Sequence, residues 1–458
     1  MLALNMDTLF DLPSSSHTPT KTIRILVYPN ITYAKDLTKD SFVIYLATAI
    51  RQLNRLRDDL FFYILMPERL SVLEFPNTQQ LITPLSTHAP VMRVHFDVPV
   101  IQKLLSKNID IDLVWSHLPE HTHALAATLS NVTHHRPHIF GYAHWFDLNS
   151  VATWEGGSFR ENVSGLLHMD RCYLNTNAQK TLVLQEAAQT FTSSIVQQLD
   201  RILIAQPPGV SVNDVTPHID TQTEKLIVFN HRPAPYKDYP TFLKIVRQLR
   251  LARQDFQVWI PLLDTSPESW ISRETFTDKA EYYAKLRSCR VGLSPKQLYA
   301  GWSIATTDGL MNGCPYITYD ADYYQELDPL AERFQTVEDA LRLLHRYLDD
   351  MTHRNTHAER ARQHALTALD DRLAMQDVSQ YITTSLQSMA PRQSPRAAEL
   401  VELVRQHGSL TKEQLMKDHL NWGRGIPFTP YRRALLSHPH IYDTMGAVPT
   451  YQWHPSVD

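Results

Sequence analysis

Arg232 and Lys237 share one short segment, FNHRPAPYKDYPTFL, where a β-forming run gives way to a loop and then to a helical pattern. An arginine fork and a lysine point charge in one loop are what a diphosphate needs. In open α/β sheets such loops sit at the carboxyl ends of the strands, where ligands bind. The plainer reading is a solvated pair of surface cations. Three further groups follow predicted strand ends. His144 and Asp147 lie in YAHWFD, with Asp147 a candidate base for an acceptor hydroxyl if the reaction inverts; the alternative is a core histidine beside a capping aspartate. His117, Glu120 and His121 lie in WSHLPEHTH, as a loop touching an acceptor or as plain surface. A His pair with a Glu suggests zinc, but the HExxH order is missing, so no metal site is assigned. Asp36, Lys39 and Asp40 lie in the first strand–helix loop.

The elements that must position these residues alternate. Short apolar runs (Ile23–Asn30, Leu60–Pro67, Val91–Phe96, Ile111–His117, His138–Trp145, Arg171–Thr176, Arg201–Val210) are separated by helical patterns such as Asp40–Leu56. A second series follows: a strand opening Lys225–Tyr239, strands in Phe256–Asp264 and Arg290–Pro295, and helix, turn at Gly313 and strand over Thr306–Asp320. AERFQTVEDALRLLHRYLDDM and the polar stretch to Ser388 read as helical. This alternation predicts an α/β fold with parallel sheets covered on both faces. The expected organisation is a flexible arm over 1–20, Rossmann-like domains over 21–212 and 213–390, and a module over 397–458 behind the linker MAPRQSPRAAE.

The stretch LSPKQLYAGWSIATTDGLMNGCPYI, taken with FNHRPAPYKDY, resembles the GT-B glycosyltransferases, and among them the large retaining family four. RCYLNTNAQKTLV and ILIAQPPGVSV resemble further segments of that family, so the likeness runs from Ile23 to Ser388. It implies two Rossmann-like domains facing a cleft, with the last long helix packing back on the first domain. It implies transfer of a sugar from a nucleotide-diphosphate donor, a UDP-sugar, with Arg232 and Lys237 offsetting the leaving charge and no metal required. Aligned on Gly313 and Pro315, Asp308 takes the place of the carboxylate that binds the donor ribose. Gly301, Trp302 and Ser303 fall where backbone amides approach the donor phosphates, and a helix N-terminus there favours the diphosphate. His144 falls where the family often has a histidine contacting the transferred sugar, and the loop of Asp36, Lys39 and Asp40 falls where that fold approaches the acceptor. The family's first glutamate is replaced by Ala300.

The module over 397–458 reads as three short helices and a hairpin, a winged-helix-like pattern. NWGRGIPFTPYRRALLSH holds Arg424, Arg432 and Arg433 among Trp422, Phe428 and Tyr431, with no acidic residue, as a nucleic-acid reader would. The alternative is a packing module with aromatic core residues. Three functions follow: a glycosyltransferase acting on 5-hydroxymethylpyrimidine in DNA, the preferred reading; one acting on glycan, lipid or small-molecule acceptors; or a non-catalytic binding protein of GT-B descent.

Bulk properties narrow the classes. A net charge of −4 excludes a chain that binds nucleic acid by charge over its whole surface, so any basic face is local. Three dispersed cysteines exclude a disulfide framework or zinc ribbon and suit a reducing cytoplasm. No apolar run reaches membrane-spanning length and the N-terminus lacks a signal-peptide pattern, so no membrane partner is expected. Neither a P-loop nor a repeated GxGxxG occurs.

Overall fold

The structure is a computed structural model describing residues 22–31, 37, 40–85, 96, 98–105, 110–133, 138–148, 159–209, 211, 222–265, 268–276, 278–298, 302–388, 395–419, 428–444 and 449–455. The chain forms two compact units.

The first unit takes the described residues of Leu12–Tyr173, Leu184–Ile204 and Met375–Asp458. Its sheet has strands β1 (Ile23–Tyr28), β2 (Leu60–Met66), β3 (Thr78–Ile82), β4 (Leu113–Ser116), β5 (His138–Ala143), β6 (Arg171–Leu174) and β7 (Leu203–Ala205), in the order β3-β2-β1-β4-β5-β6-β7. β1 pairs in parallel with both β2 and β4. Every residue of β1 and β2 is buried, as strands covered on both faces require. β3 escaped the sequence reading because TQQLI is polar and mostly half-buried. Of the strand expected at Val91–Phe96, only Phe96 is described, in an isolated antiparallel bridge with Leu85. The helix Asp371–Ser388 enters this unit at Met375 and docks by Tyr173 Oη donating to Asp377 (2.7 Å) and Arg57 donating to the Ser379 carbonyl (3.1 Å).

The second unit includes Leu174–Val183 and the described residues of Ala205–Ala374. Its sheet runs β10-β9-β8-β11-β12-β13, from β8 (Leu226–Val228), β9 (Gln257–Trp259), β10 (Ile271–Ser272), β11 (Val291–Ser294), β12 (Tyr316–Tyr319) and β13 (Glu332–Phe334). Its neighbouring strands pair in parallel throughout. Gly313 takes φ 72° in the turn between helix Ile304–Met311 and β12, as expected. One expectation fails here. AERF is not helical; it contains β13, and the helix begins only at Val337, where Thr336 and Asp339 form a reciprocal capping box.

The C-terminal module belongs to the first unit. Helix Pro395–His407, β14 (Ser409–Thr411), a turn of helix at Lys412–Gln414, helix Thr429–Ser437, β15 (Ile441–Asp443) and β16 (Thr450–Trp453) surround their own apolar core. The strands form an antiparallel sheet ordered β14-β16-β15. β14 was not foreseen. A buried charge cluster ties the module to the amino ends of β1 and β4. Arg432 pairs with Asp112 and with Asp443 (3.2 Å), Arg24 pairs with Asp443 (3.1 Å), and Lys412 pairs with Asp110 (2.7 Å). No described helix is long and apolar enough to cross a membrane.

Candidate functional site

In the second sheet the strand order reverses between β8 and β11, so the loops after these two strands flank a crevice. The β8 loop carries Asn230, His231, Arg232 and Lys237. Arg232 is exposed, while Lys237 ends a short 3-10 turn, Pro235–Lys237. Asp238 follows with φ 49°, the one non-glycine residue of positive φ among those described. An aspartate tolerates this left-handed geometry, and the bend lets a helix start at Tyr239 directly behind Lys237.

Across the crevice, the loop after β11 supplies Gln297, whose Oε1 accepts from Lys237 Nζ. Gln297 is itself held by Tyr324 Oη (2.9 Å) and, through its backbone amide, by Tyr323 Oη (2.8 Å). Burial first, and the charge of Arg232 second, push the Lys237 ammonium down to about 8. An arriving diphosphate would supply the missing counter-charge. His231 Nε2 lies 2.9 Å from Ser294 Oγ, and its burial holds the ring neutral. Ser294 Oγ reaches Thr306 Oγ1 (2.9 Å), which also meets Ser303 Oγ (2.8 Å). Ser303 is thus a buried N-cap, accepting from the Thr306 amide and orienting the first turn of helix Ile304–Met311.

Tyr316 fixes the distance between that helix and the sheet. Its ring occupies the space that a Cβ at Gly292 or Gly309 would enter, at 2.3 and 2.2 Å. Its hydroxyl donates to Asn230 Oδ1 (2.7 Å), and Asn230 Nδ2 donates to the Ala305 carbonyl (2.7 Å) and to Tyr282 Oη (2.9 Å). The end of β8 and the helix N-terminus are therefore joined through one amide. Asp308 lies on the second turn of the helix, half-buried, with Tyr283 Oη donating to its carboxylate at 3.4 Å. Asn230, Gln297 and Tyr316 were not picked out from sequence. Asn230 sits in the quoted FNHR stretch, but nothing in its type marks it as the link.

Gly301 and Ala300 lie outside the described residues. Trp302 is described, and its indole belongs to the apolar core rather than to a ligand surface.

The first sheet reverses between β1 and β4, and its own cluster lies at that end. His117, Glu120, His144 and Asp147 come together there, although Glu120, His117 and Asp147 are buried rather than on open loops. Asn162 holds the two carboxylates: its Nδ2 is 3.3 Å from Glu120 Oε2 and 3.3 Å from Asp147 Oδ2, while its Oδ1 accepts from the Asp147 amide (2.7 Å). Gly165 allows this, since a Cβ there would strike the Pro119 carbonyl at 1.5 Å. Asp147 is therefore a positioned member of a bonded pair, not a solvent-facing base. His144 packs against Phe42, Tyr45 and Tyr142 and lies 6.0 Å from the His117 ring. Burial lowers the basicity of both imidazoles, His117 to about 3, so each is neutral at pH 7. His121 Nδ1 meets Tyr28 Oη at 3.1 Å, which engages the third of His117, Glu120 and His121.

Other expected residues fall elsewhere. Asp40 is the N-cap of helix Ser41–Leu56, its carboxylate accepting from the amides of Phe42 and Val43, and it is 5% exposed, so that carboxylate is engaged at the helix start. Asp36 and Lys39 lie outside the described residues. In the C-terminal module, Arg432 is 1% exposed within its ion pairs, and Tyr431 is in the apolar core, so neither reaches nucleic acid from this fold. Arg433 is half-buried. Trp422 and Arg424 lie outside the described residues.

No protein-family profile matches the chain, and no curated protein matches it in sequence. Solved structures do match in fold. A sucrose-phosphate synthase from Thermosynechococcus elongatus superposes with a TM-score of 0.58 at 11% identity, over 80% of this chain and 100% of that one. The Anabaena protein HepE, solved with UDP-glucose, gives 0.56 at 11% identity, over 79% and 100%. A trehalose-6-phosphate synthase, OtsA, gives 0.54 at 11% identity, over 81% and 100%. At such identity the likeness establishes the fold: two α/β units with parallel sheets.

Proposed function

We propose that this chain is a glycosyltransferase that moves a sugar from a nucleotide-diphosphate donor, a UDP-sugar, to a hydroxyl acceptor. The observation that carries the reading is the crevice between β8 and β11. There Arg232, the half-buried Lys237 and the capped start of helix Ile304–Met311 converge. Three sources of positive potential in one crevice suit a leaving diphosphate, whose charge grows as the glycosidic bond breaks. HepE with UDP-glucose, sharing the fold, supports this choice of donor. Asp308 would accept from donor ribose hydroxyls.

The acceptor would meet the cluster of His117, Glu120, His144 and Asp147. Neutral His144 can donate or accept a hydrogen bond without competing for protons, and Asn162 keeps Glu120 and Asp147 in register. The reading with DNA as acceptor has lost Arg432 and Tyr431 to buried packing. The acceptor class that stands in its place is a small-molecule or glycan hydroxyl, with the DNA base kept as a separate arm of the test.

The test is release of UDP from a panel of UDP-sugars, with glycan and small-molecule hydroxyl acceptors and duplex DNA containing 5-hydroxymethylcytosine as separate arms. Acceptor-dependent release of UDP from one donor is the expected result. Absence of both transfer and donor hydrolysis across the panel would reduce the chain to a binding protein.

A further inference from the structure

We propose that Glu332, His353 and His357 form a binding site for a divalent transition-metal ion, zinc by the character of its donors. All three belong to the second unit. His353 and His357 are one turn apart on helix Met351–Ala368 and share a face, while Glu332 opens β13, the edge strand of the sheet. One donor atom from each lies within 4.8 Å of the others. His353 Nε2 and Glu332 Oε2 are already 2.9 Å apart. Ligand atoms about 2.0–2.1 Å from a tetrahedral zinc are separated by roughly 3.3 Å, so small side-chain rotations complete the set.

The surroundings orient each ligand. Tyr347 Oη sits 3.0 Å from His357 Nδ1, which leaves Nε2 for the ion. Arg346 donates to Glu332 Oε1 at 3.3 Å, which leaves Oε2. The helix itself is fixed. Arg354, between the two histidines and fully buried, donates to the carbonyls of Arg290 (3.2 Å), Cys289 (3.0 Å) and Gly313 (2.7 Å). Two imidazoles and one carboxylate favour zinc over magnesium or calcium, and three protein ligands leave the fourth position to water.

The site lies apart from the donor crevice. Glu332 is at the amino end of a strand parallel to β12, whereas Asn230, Lys237 and Gln297 follow the carboxyl ends of β8 and β11. The ion would therefore clamp the sheet edge to the helix and take no part in sugar transfer.

Untagged protein dialysed against zinc chloride, then against metal-free buffer, is assayed by elemental analysis and thermal unfolding beside His357→Gln and Glu332→Gln. The wild type should retain one ion per chain more than either variant. Zinc should raise its Tm by several degrees and leave theirs unmoved, and losing a ligand should weaken affinity at least about tenfold. Stoichiometric cobalt should give the wild type the intense visible bands of a four-coordinate ion. Equal zinc retention by wild type and folded variants overturns the site. Should both variants fail to fold, a wild-type cobalt spectrum without those bands overturns it alone.

Discussion

Lys237 is where burial and function pull against each other. Its ammonium, held near 8 by burial and by Arg232, keeps its proton to about 10.5 in the unfolded chain. Between these values the unfolded chain binds more protons, so the native state gains stability as pH rises through this window, and bears the full burial cost below it. UDP binding at the proposed site would have the opposite slope, because the diphosphate needs the charged form. Calorimetric UDP affinity should be nearly level between pH 7 and 8 and fall above it, and Lys237→Met should bind weakly with that slope gone. A wild-type affinity unchanged from pH 7 to 9.5 would remove Lys237 from the donor site. For turnover, Arg232→Ala and Lys237→Ala should each lower kcat by about 100-fold or more, as loss of a charge-stabilising donor does elsewhere. Asp308→Ala should act chiefly on donor affinity, read as a raised KM. Equal loss of kcat and kcat/KM in the Asp308 variant would assign it a different role.

At the scale of elements, the crevice between β8 and β11 depends on how near helix Ile304–Met311 lies to the end of β8. Tyr316 sets that distance through Gly292 and Gly309, and Asn230 bonds across it. Gly309→Val forces the ring or the helix to move, and the expected cost is about 1–3 kcal/mol of stability with weakened UDP binding. Chemical denaturation and calorimetry on the same variant check both; an unchanged affinity would mean the Tyr316–Asn230 link does not set the crevice. Little of this was legible beforehand. The helix–turn–strand order around Gly313 follows from local pattern, but a tyrosine between two glycines far apart in sequence has no local signature. The same holds for Asn162, which meets Glu120 only through close approach of two helices and Asp147 only where the loop after β5 passes beside them.

For the whole molecule, the C-terminal module is a built-in part of the first unit. Arg24, Arg432 and Lys412 match Asp110, Asp112 and Asp443 in a buried set of balanced charge. Removing one partner strands its opposite in a dry interior, so Asp112→Ala should cost about 3–5 kcal/mol. Ending the chain at Pro395 should destabilise the first sheet, since Arg24 and Asp112 lose their partners together. Unfolding midpoints in urea test both, and a truncated chain as stable as the full one would show the charge cluster to be energetically idle.

Sequence alone determined the alternation of strands and helices, the loop that carries Arg232 and Lys237, the turn at Gly313 and the presence of a C-terminal module. Each is written in hydrophobic period, in turn chemistry or in a short run of residues, which are local properties of the chain. Tertiary structure decided which polar residues face a ligand and which are consumed in holding the fold. Asp40 became a helix cap, Arg432 a buried ion pair, and Asn230 the joint between β8 and helix Ile304–Met311, because burial and pairing depend on neighbours that the linear order does not place.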